Sequence, residues 1–280
     1  VSDASSPPTA SNGAAPPILT LTHVTKRFGG LPAVDDLSFS VRRGEVLGII
    51  GPNGAGKSTL IGLIGGALSP TAGTISYQGE PIGRLSPHQR AWRGIARTFQ
   101  ITQPFVGLDV RENVAIGAFF GRRERLSRAQ ALRLADEVLD RVHLAHKARF
   151  KGDQLTVADR KRLEMARALA TGPELLLLDE VMAGLTSIEI EQAVELIREI
   201  NASGVTVLVV EHIMKAIKGV SDRILVMHQG RKIAEDLPDE VLADPRVIEA
   251  YLGERYARSQ QRPQSAQSAQ TPLELESDKL

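Results

Sequence analysis

The segment Gly51-Pro52-Asn53-Gly54-Ala55-Gly56-Lys57-Ser58 constrains this chain more than any other. It fits the pattern G-x-x-x-x-G-K-[ST] and stands between a short apolar run, residues 45–50, and a stretch of helical character, residues 57–68. Glycines at these positions let successive backbone N–H groups curl around an anion with no Cβ in the way. The helix that follows points its positive end at the same anion. Lys57 is expected to reach the β- and γ-phosphates of a nucleotide, and Ser58 to hold Mg²⁺, with Thr59 closing the loop. The bland alternative is a glycine-rich turn capping a helix, and the flanking strand and helix weigh against it.

A second constellation fits the first. Leu175-Leu176-Leu177-Leu178 reads as a buried strand that ends in Asp179-Glu180. In phosphate-loop enzymes an Asp at such a strand end holds Mg²⁺, commonly through water. Glu180 then stands where an attacking water needs a base or polariser. A solvated strand end is the competing reading for the pair.

The remaining patterns set the fold class. Residues 18–24 and 37–41 alternate apolar and polar, and 73–77, 205–210 and 223–227 add further strands. Residues 87–170 are helix-rich: Leu132, Ala135, Leu139 and Val142 recur at three- and four-residue steps, and 161–170 predicts another helix. Ile190, Ala193, Val194 and Ile197 form a helical stripe, with Thr186 and Glu189 as its capping box. Strands alternating with helices predict an α/β fold with a mostly parallel sheet and an antiparallel β edge layer beside it.

Composition narrows the function classes. The chain has 280 residues, of which 42% are hydrophobic, enough to bury a sizeable core. No run approaches the ~18–20 apolar residues of a spanning helix. Lys+Arg 34 against Asp+Glu 33 leaves +1, which exerts no general pull on nucleic acid. With no cysteine, thiolate metal sites, disulfides and cysteine nucleophiles are excluded. Residues 1–17, rich in Ser, Ala and Pro, do not read as a secretory signal. The expected layout is a flexible tail at 1–17, one domain at 18–256 with a helical subdomain inserted at about 101–170, and a flexible tail at 257–280.

In this order the motifs resemble those of the ATP-binding cassette (ABC) ATPases, over residues 18–254. The resemblance implies a P-loop NTPase with a RecA-like core sheet and a helical subdomain, and ATP with Mg²⁺ as cofactors. Gln100, in Arg97-Thr98-Phe99-Gln100, matches the glutamine that senses the γ-phosphate and Mg²⁺ and faces the membrane partner. His212, in Val209-Val210-Glu211-His212, matches the switch histidine that contacts the γ-phosphate and positions water. Phe28, before Gly29-Gly30, matches the aromatic that stacks on adenine. Ala183-Gly184-Leu185-Thr186 matches the D-loop, with Thr186 where the family usually has Asp or Asn. The signature segment departs most: Leu155-Thr156-Val157-Ala158-Asp159 stands where the family generally reads Leu-Ser-Gly-Gly-Gln. Thr156 keeps a hydroxyl, but both glycines are gone. Val181 replaces a common proline after the acid pair.

The branch is narrowed by Arg27-Phe28-Gly29-Gly30-Leu31-Pro32-Ala33-Val34 and by the ending Asp244-Pro245-Arg246-Val247-Ile248-Glu249-Ala250-Tyr251-Leu252-Gly253-Glu254. Both resemble branched-chain amino-acid importer ATPases, a pattern shared with importers of urea or short amides. The resemblance implies a peripheral subunit on the cytoplasmic face of the plasma (inner) membrane. Its partners would be a second ABC ATPase subunit, two membrane permease subunits and, indirectly, an extracytoplasmic solute-binding protein, with no nucleic acid. An ABC ATPase of an exporter or of lipopolysaccharide transport, or a soluble non-transport member, is the alternative. His143 and His146 share a predicted helix and read as surface residues; Arg122, Arg123, Arg125, Arg128 and Arg133 read as a solvated basic face.

Overall fold

In the computed structural model the described residues are 16–98, 104, 105 and 107–251. In chain order they form β1 (Leu19–Phe28), β2 (Leu31–Val41), β3 (Val46–Ile50), α1 (Lys57–Gly65), β4 (Ala72–Tyr77), β5 (Glu80–Pro81), α2 (Pro87–Ala91) and β6 (Ile95–Arg97). Next come α3 (Val110–Phe120), α4 (Arg128–Arg141), α5 (Val157–Ala170), β7 (Leu175–Asp179), α6 (Ser187–Ala202), β8 (Thr206–Val210), α7 (Met214–Val220), β9 (Arg223–His228), β10 (Arg231–Asp236) and α8 (Pro238–Ala243).

The strands fall into two sheets. The larger has order β10-β9-β3-β8-β7-β6 and is parallel except for β10, which returns antiparallel along β9. The smaller, order β2-β1-β4-β5, is antiparallel throughout. The expected parallel core and antiparallel layer are therefore both present.

Both faces of the parallel sheet are covered, as a parallel sheet requires. Leu176, Leu178, Val207, Val209, Ile224 and Val226 pack into a cluster that includes buried residues of α3, α4, α5, α6 and α7. The alternate residues Leu175, Leu177, Leu208, Val210, Leu225 and Met227 pack with α1 and the smaller sheet. This period-two division explains why β7 and β8 read as unbroken apolar runs.

Several local boundaries follow from chemistry that periodicity does not carry. Helix α1 stops at Gly65, short of the expected Leu68, because Gly66 takes φ +88° and turns the chain left-handed. The Thr186–Glu189 capping box forms: the Thr186 N–H donates to Glu189 Oε2 at 2.8 Å, and the Glu189 N–H to Thr186 Oγ1 at 3.4 Å. The short β6 lies inside the region read as helix-rich, and β10, α7 and α8 had no sequence signal. His143 and His146 do not share a helix, since α4 ends at Arg141; the His143 ring faces Glu199 at 3.0 Å. No helix among the described residues is long and apolar enough to cross a membrane.

One buried cation ties α1 to its surroundings. Arg90, 1% exposed, donates to the carbonyls of Leu63, Ile64, Ile82 and Leu85. Burial pulls its pKa down to about 10. The planar fork satisfies carbonyls at the end of α1 that the helix cannot satisfy itself. Arg90→Ala is expected to lower unfolding stability by about 3 kcal/mol, because it removes the Arg90 donors from the Leu63, Ile64 and Leu85 carbonyls, while Ile82 keeps the Leu85 N–H. Arg90→Lys should recover little of it, having one charge centre instead of a fork. Urea denaturation of the full chain measures both; a loss below about 1 kcal/mol for Arg90→Ala would contradict the assignment.

Candidate nucleotide-binding site

The loop between β3 and α1 takes the form its glycines predict. Gly56 adopts φ +99°, and a Cβ there would lie 2.2 Å from the Ala33 carbonyl oxygen. At Gly51 a Cβ would lie 2.2 Å from the Met227 carbonyl oxygen. The loop is therefore wedged between β2 and the end of β9, where only glycine fits at these points. Lys57 is largely buried and its Nζ donates to the carbonyls of Gly51 at 2.6 Å and Pro52 at 2.9 Å. The ammonium is thus held inside the loop whose phosphates it is expected to meet.

Beside the loop, the register pairs Asp179 with Val210 and Ile49 with Val210. The carboxyl ends of β3, β7 and β8 therefore converge, which is where ligands bind in open α/β sheets. Asp179 is 1% exposed. Its N–H donates to Thr98 Oγ1 at 3.1 Å, and Arg97 donates to its Oδ2 at 3.1 Å. Its Oδ1 has no hydrogen-bond partner among the described residues. Burial raises the Asp179 pKa, with the Arg97 charge and hydrogen bond opposing it. A buried carboxylate oxygen left without a donor among the described residues, at the end of β7 and two strands over from the β3 that leads to Lys57, is an arrangement that a divalent cation or its water satisfies.

Glu180 takes φ +51°, a left-handed conformation that costs a non-glycine residue about 1–3 kcal/mol. It is held there by its own N–H, which donates to the Val210 carbonyl at 3.0 Å, and by Lys161, whose Nζ donates to the Glu180 carbonyl at 3.3 Å. The turn sends the chain out of the sheet, and Glu180 lines a cleft of about 630 Å³ with Phe28, Ala33 and residues Asn53 to Thr59. Phe28 is 50% exposed, and Lys26 Nζ lies 5.3 Å from its ring centroid. The ring is therefore not a core residue, and its exposed face is available for stacking in the same cleft as the loop.

His212 lies two residues beyond the end of β8, with its side chain 55% exposed. Its neighbour Glu211 is fully buried and accepts the Met182 N–H at 2.8 Å. Gln100, by contrast, lies outside the described residues.

The signature segment forms the N-terminus of α5. Thr156 is its N-cap: the Asp159 N–H donates to Thr156 Oγ1 at 3.2 Å, and Thr156 Oγ1 donates to Asp159 Oδ2 at 2.8 Å. Lys147 Nζ adds a 2.5 Å contact to the same oxygen. Burial of Asp159 opposes ionisation, but Lys147 and Thr156 outweigh it and hold the carboxyl below its usual pKa. The hydroxyl and helix end expected to face a partner's phosphate are thus already engaged by an internal anion. Val157 is exposed, and Leu155 is buried. In the Ala183–Thr186 segment Gly184 takes φ +79°, and Thr186 serves as the cap of α6. Threonine fills this capping role, which Asp or Asn would fill at least as well, so nothing in the structure explains the exchange.

The structure therefore brings Phe28, the phosphate loop and Glu180 into one cleft, with Asp179 buried at the adjacent strand end. Four contributors were missed in the sequence: Arg97, Thr98, Lys161 and Glu211. Each acts through a long-range contact; only Glu211, a carboxylate beside His212, carried a readable signal.

Comparison with known proteins agrees with this geometry. The ABC transporter family model matches residues 34–183, and that of a branched-chain amino acid ATP-binding cassette transporter family matches residues 231–257. The high-affinity branched-chain amino acid transport ATP-binding protein LivG of Salmonella typhimurium is 39% identical over 251 residues, covering 85% of this chain and 98% of LivG. The lipopolysaccharide export system ATP-binding protein LptB of Escherichia coli is 35% identical over 238 residues, with 85% and 98% covered. The crystal structure of the ADP conformation of MJ1267, an ATP-binding cassette of an ABC transporter, has a TM-score of 0.79 at 33% identity, covering 85% of this chain and 100% of MJ1267. A nucleotide cleft at converging parallel strand ends and likeness along nearly the whole length of these proteins lead to one conclusion: this chain belongs to the ABC transporter family, as an ATP-hydrolysing cassette that works with membrane permease partners.

Proposed function

We propose that this cassette powers the uptake of branched-chain or other hydrophobic amino acids, or of related amides or urea, from the cytoplasmic face of the membrane. The observation that carries this reading is the match of residues 231–257 to the branched-chain branch. That match lies outside the shared ATPase motifs, so it bears on the transport system rather than on nucleotide chemistry.

In this reading adenine stacks on Phe28, and the phosphates lie against residues 51–59. Ser58 and Asp179, with Gln100, would hold Mg²⁺, for which the Asp179 Oδ1, without a hydrogen-bond partner among the described residues, is suited. The cation would supply charge neutralisation to the nucleotide phosphates. Glu180, on its left-handed turn into the cleft, polarises the attacking water. His212 donates to the γ-phosphate. Most of the barrier reduction is positioning and electrostatic stabilisation by groups already in place.

Each ATP site is composite, pairing one subunit's phosphate loop with the signature of a second cassette. The chain's own half, from Lys57 to Glu180, is equipped. Its signature half is weakened by the Thr156–Asp159 cap, which puts a carboxylate where a neutral amide would serve a phosphate. Two unequal sites follow if the second cassette is a different protein. The permease subunits dock at a groove of about 400 Å³ between α1, β6, α3 and α5, lined by Ile116, Gly117, Phe120 and Ala168 with Arg97 beside them. Phe120 is 75% exposed there. A solute-binding protein outside the membrane selects the cargo. The domain spans residues 18–256, with the helical insertion at about 101–170.

Glu180→Gln is expected to cut ATP turnover of the assembled complex at least 100-fold while ATP binding stays within about threefold. Near-normal turnover in that variant would overturn the base assignment. Joint Val157→Gly and Ala158→Gly substitution, with Asp159→Gln, should raise turnover several-fold by restoring backbone approach and removing the internal anion; unchanged turnover would show that the altered signature is fully competent. The transport reading is tested by purifying the chain with its membrane partners. Leucine with its binding protein should stimulate ATP hydrolysis, and stimulation by lipopolysaccharide instead would assign the chain to export.

A further inference from the structure

Among the described residues, Glu211 is a fully buried carboxylate beside the site to which the reading above gives no task. Its backbone N–H donates to the Ile49 carbonyl at 3.3 Å, which anchors it over the end of β3. Its two oxygens differ. Oε1 accepts the Met182 N–H at 2.8 Å, where the chain leaves Glu180 for the 183–186 segment. Oε2 has no hydrogen-bond partner among the described residues and lies 4.0 Å from His212 Nδ1. A buried acceptor lacking a donor is costly, and the half-exposed imidazole beside it can supply one by a small rotation.

We infer that Glu211 is a positioning residue for ATP hydrolysis: its Oε2 engages His212 Nδ1 and keeps Nε2–H of the imidazole turned outward as the donor, while its Oε1 holds the start of the 183–186 segment. This rests on the γ-phosphate role proposed for His212.

Proton bookkeeping supports it. With one proton shared across the Oε2–Nδ1 contact, the pair is either carboxylate with imidazolium or carboxylic acid with neutral imidazole. Nε2 carries hydrogen in both. When the pair loses that proton, the carboxylate takes Nδ1–H from a neutral ring, and Nε2 becomes an acceptor that repels a phosphate oxygen. The donor is therefore present at lower pH and lost as pH rises. The titration falls in a usable range, because burial pushes the Glu211 pKa up to about 7, with the Met182 and His212 backbone N–H groups and Lys161 opposing and the Glu180 charge adding to it. These groups come from the residues after β7, those after β8, and α5.

The test compares Glu211→Gln, Glu211→Ala and His212→Ala in the full chain with its membrane partners. A glutamine keeps both contacts: its carbonyl accepts the Met182 N–H, and its amide N–H donates to Nδ1, leaving Nε2–H in place at any pH. Glu211→Gln should therefore move the alkaline fall in kcat upward by at least one pH unit. Glu211→Ala should lower kcat about tenfold with KM for ATP changed less than twofold. The Nδ1 and Nε2 resonances of ¹⁵N-histidine-labelled full chain should show His212 passing to the Nδ1–H form at high pH in the native protein but not in Glu211→Gln. A Glu211→Gln profile that superimposes on the native one, with an unchanged histidine tautomer, would overturn the inference. Near-native turnover in His212→Ala would instead overturn the reading beneath it.

Discussion

Parallel pairing of β3, β7 and β8 is the constraint on which the rest of this molecule depends. Each strand is buried on both faces, so each is apolar along its length, and polar groups can enter only where the strands stop. All three stop at the same edge. The phosphate loop leaves β3, Asp179 and Glu180 leave β7, and Glu211 and His212 leave β8. These groups share one location because each leaves its strand at the carboxyl end.

That edge is expensive to assemble, and the surrounding contacts show how the cost is met. Asp179 is buried, but its carboxylate accepts from Arg97 and its N–H donates to Thr98. Glu180 is strained but held by Val210 and Lys161. Glu211 is buried and receives Met182. In each case one polar atom stays unmatched or one conformation stays unfavourable, and the compensating partner comes from another element. Such partly satisfied groups mark sites where a ligand completes the pairing.

The signature end of α5 shows the opposite economy. Its cap is complete within the chain: hydroxyl, carboxylate and Lys147 satisfy one another. A helix N-terminus whose positive end already faces a carboxylate has less to offer a second anion. The nucleotide cleft and the signature face are thus built to different standards, which is the structural basis for expecting two sites of unequal strength if the second cassette is a different protein.

Local patterns in the sequence determined a good deal. The phosphate loop was legible because glycine is required where a Cβ would strike the Met227 and Ala33 carbonyls. The Asp179–Glu180 strand end and the Thr186 cap were legible because each is complete within a few neighbouring residues. Boundaries decided by a single left-handed residue, such as Gly66 after α1, were not, since helical periodicity runs past them. Nor was β10, which is a strand by virtue of pairing with β9 rather than by its own pattern. Tertiary structure decided the electrostatics: Arg97 meets Asp179 across 82 residues, and Lys161 reaches the Glu180 carbonyl from a different helix. It also decided that Glu211 is fully buried between the 182 amide and the His212 ring. The amino-acid sequence settled which chemistry the strand ends carry, because backbone sterics and spacing act locally. Which charges are buried, paired or left waiting was settled only by packing, because burial is a property of neighbours that the chain brings from far away.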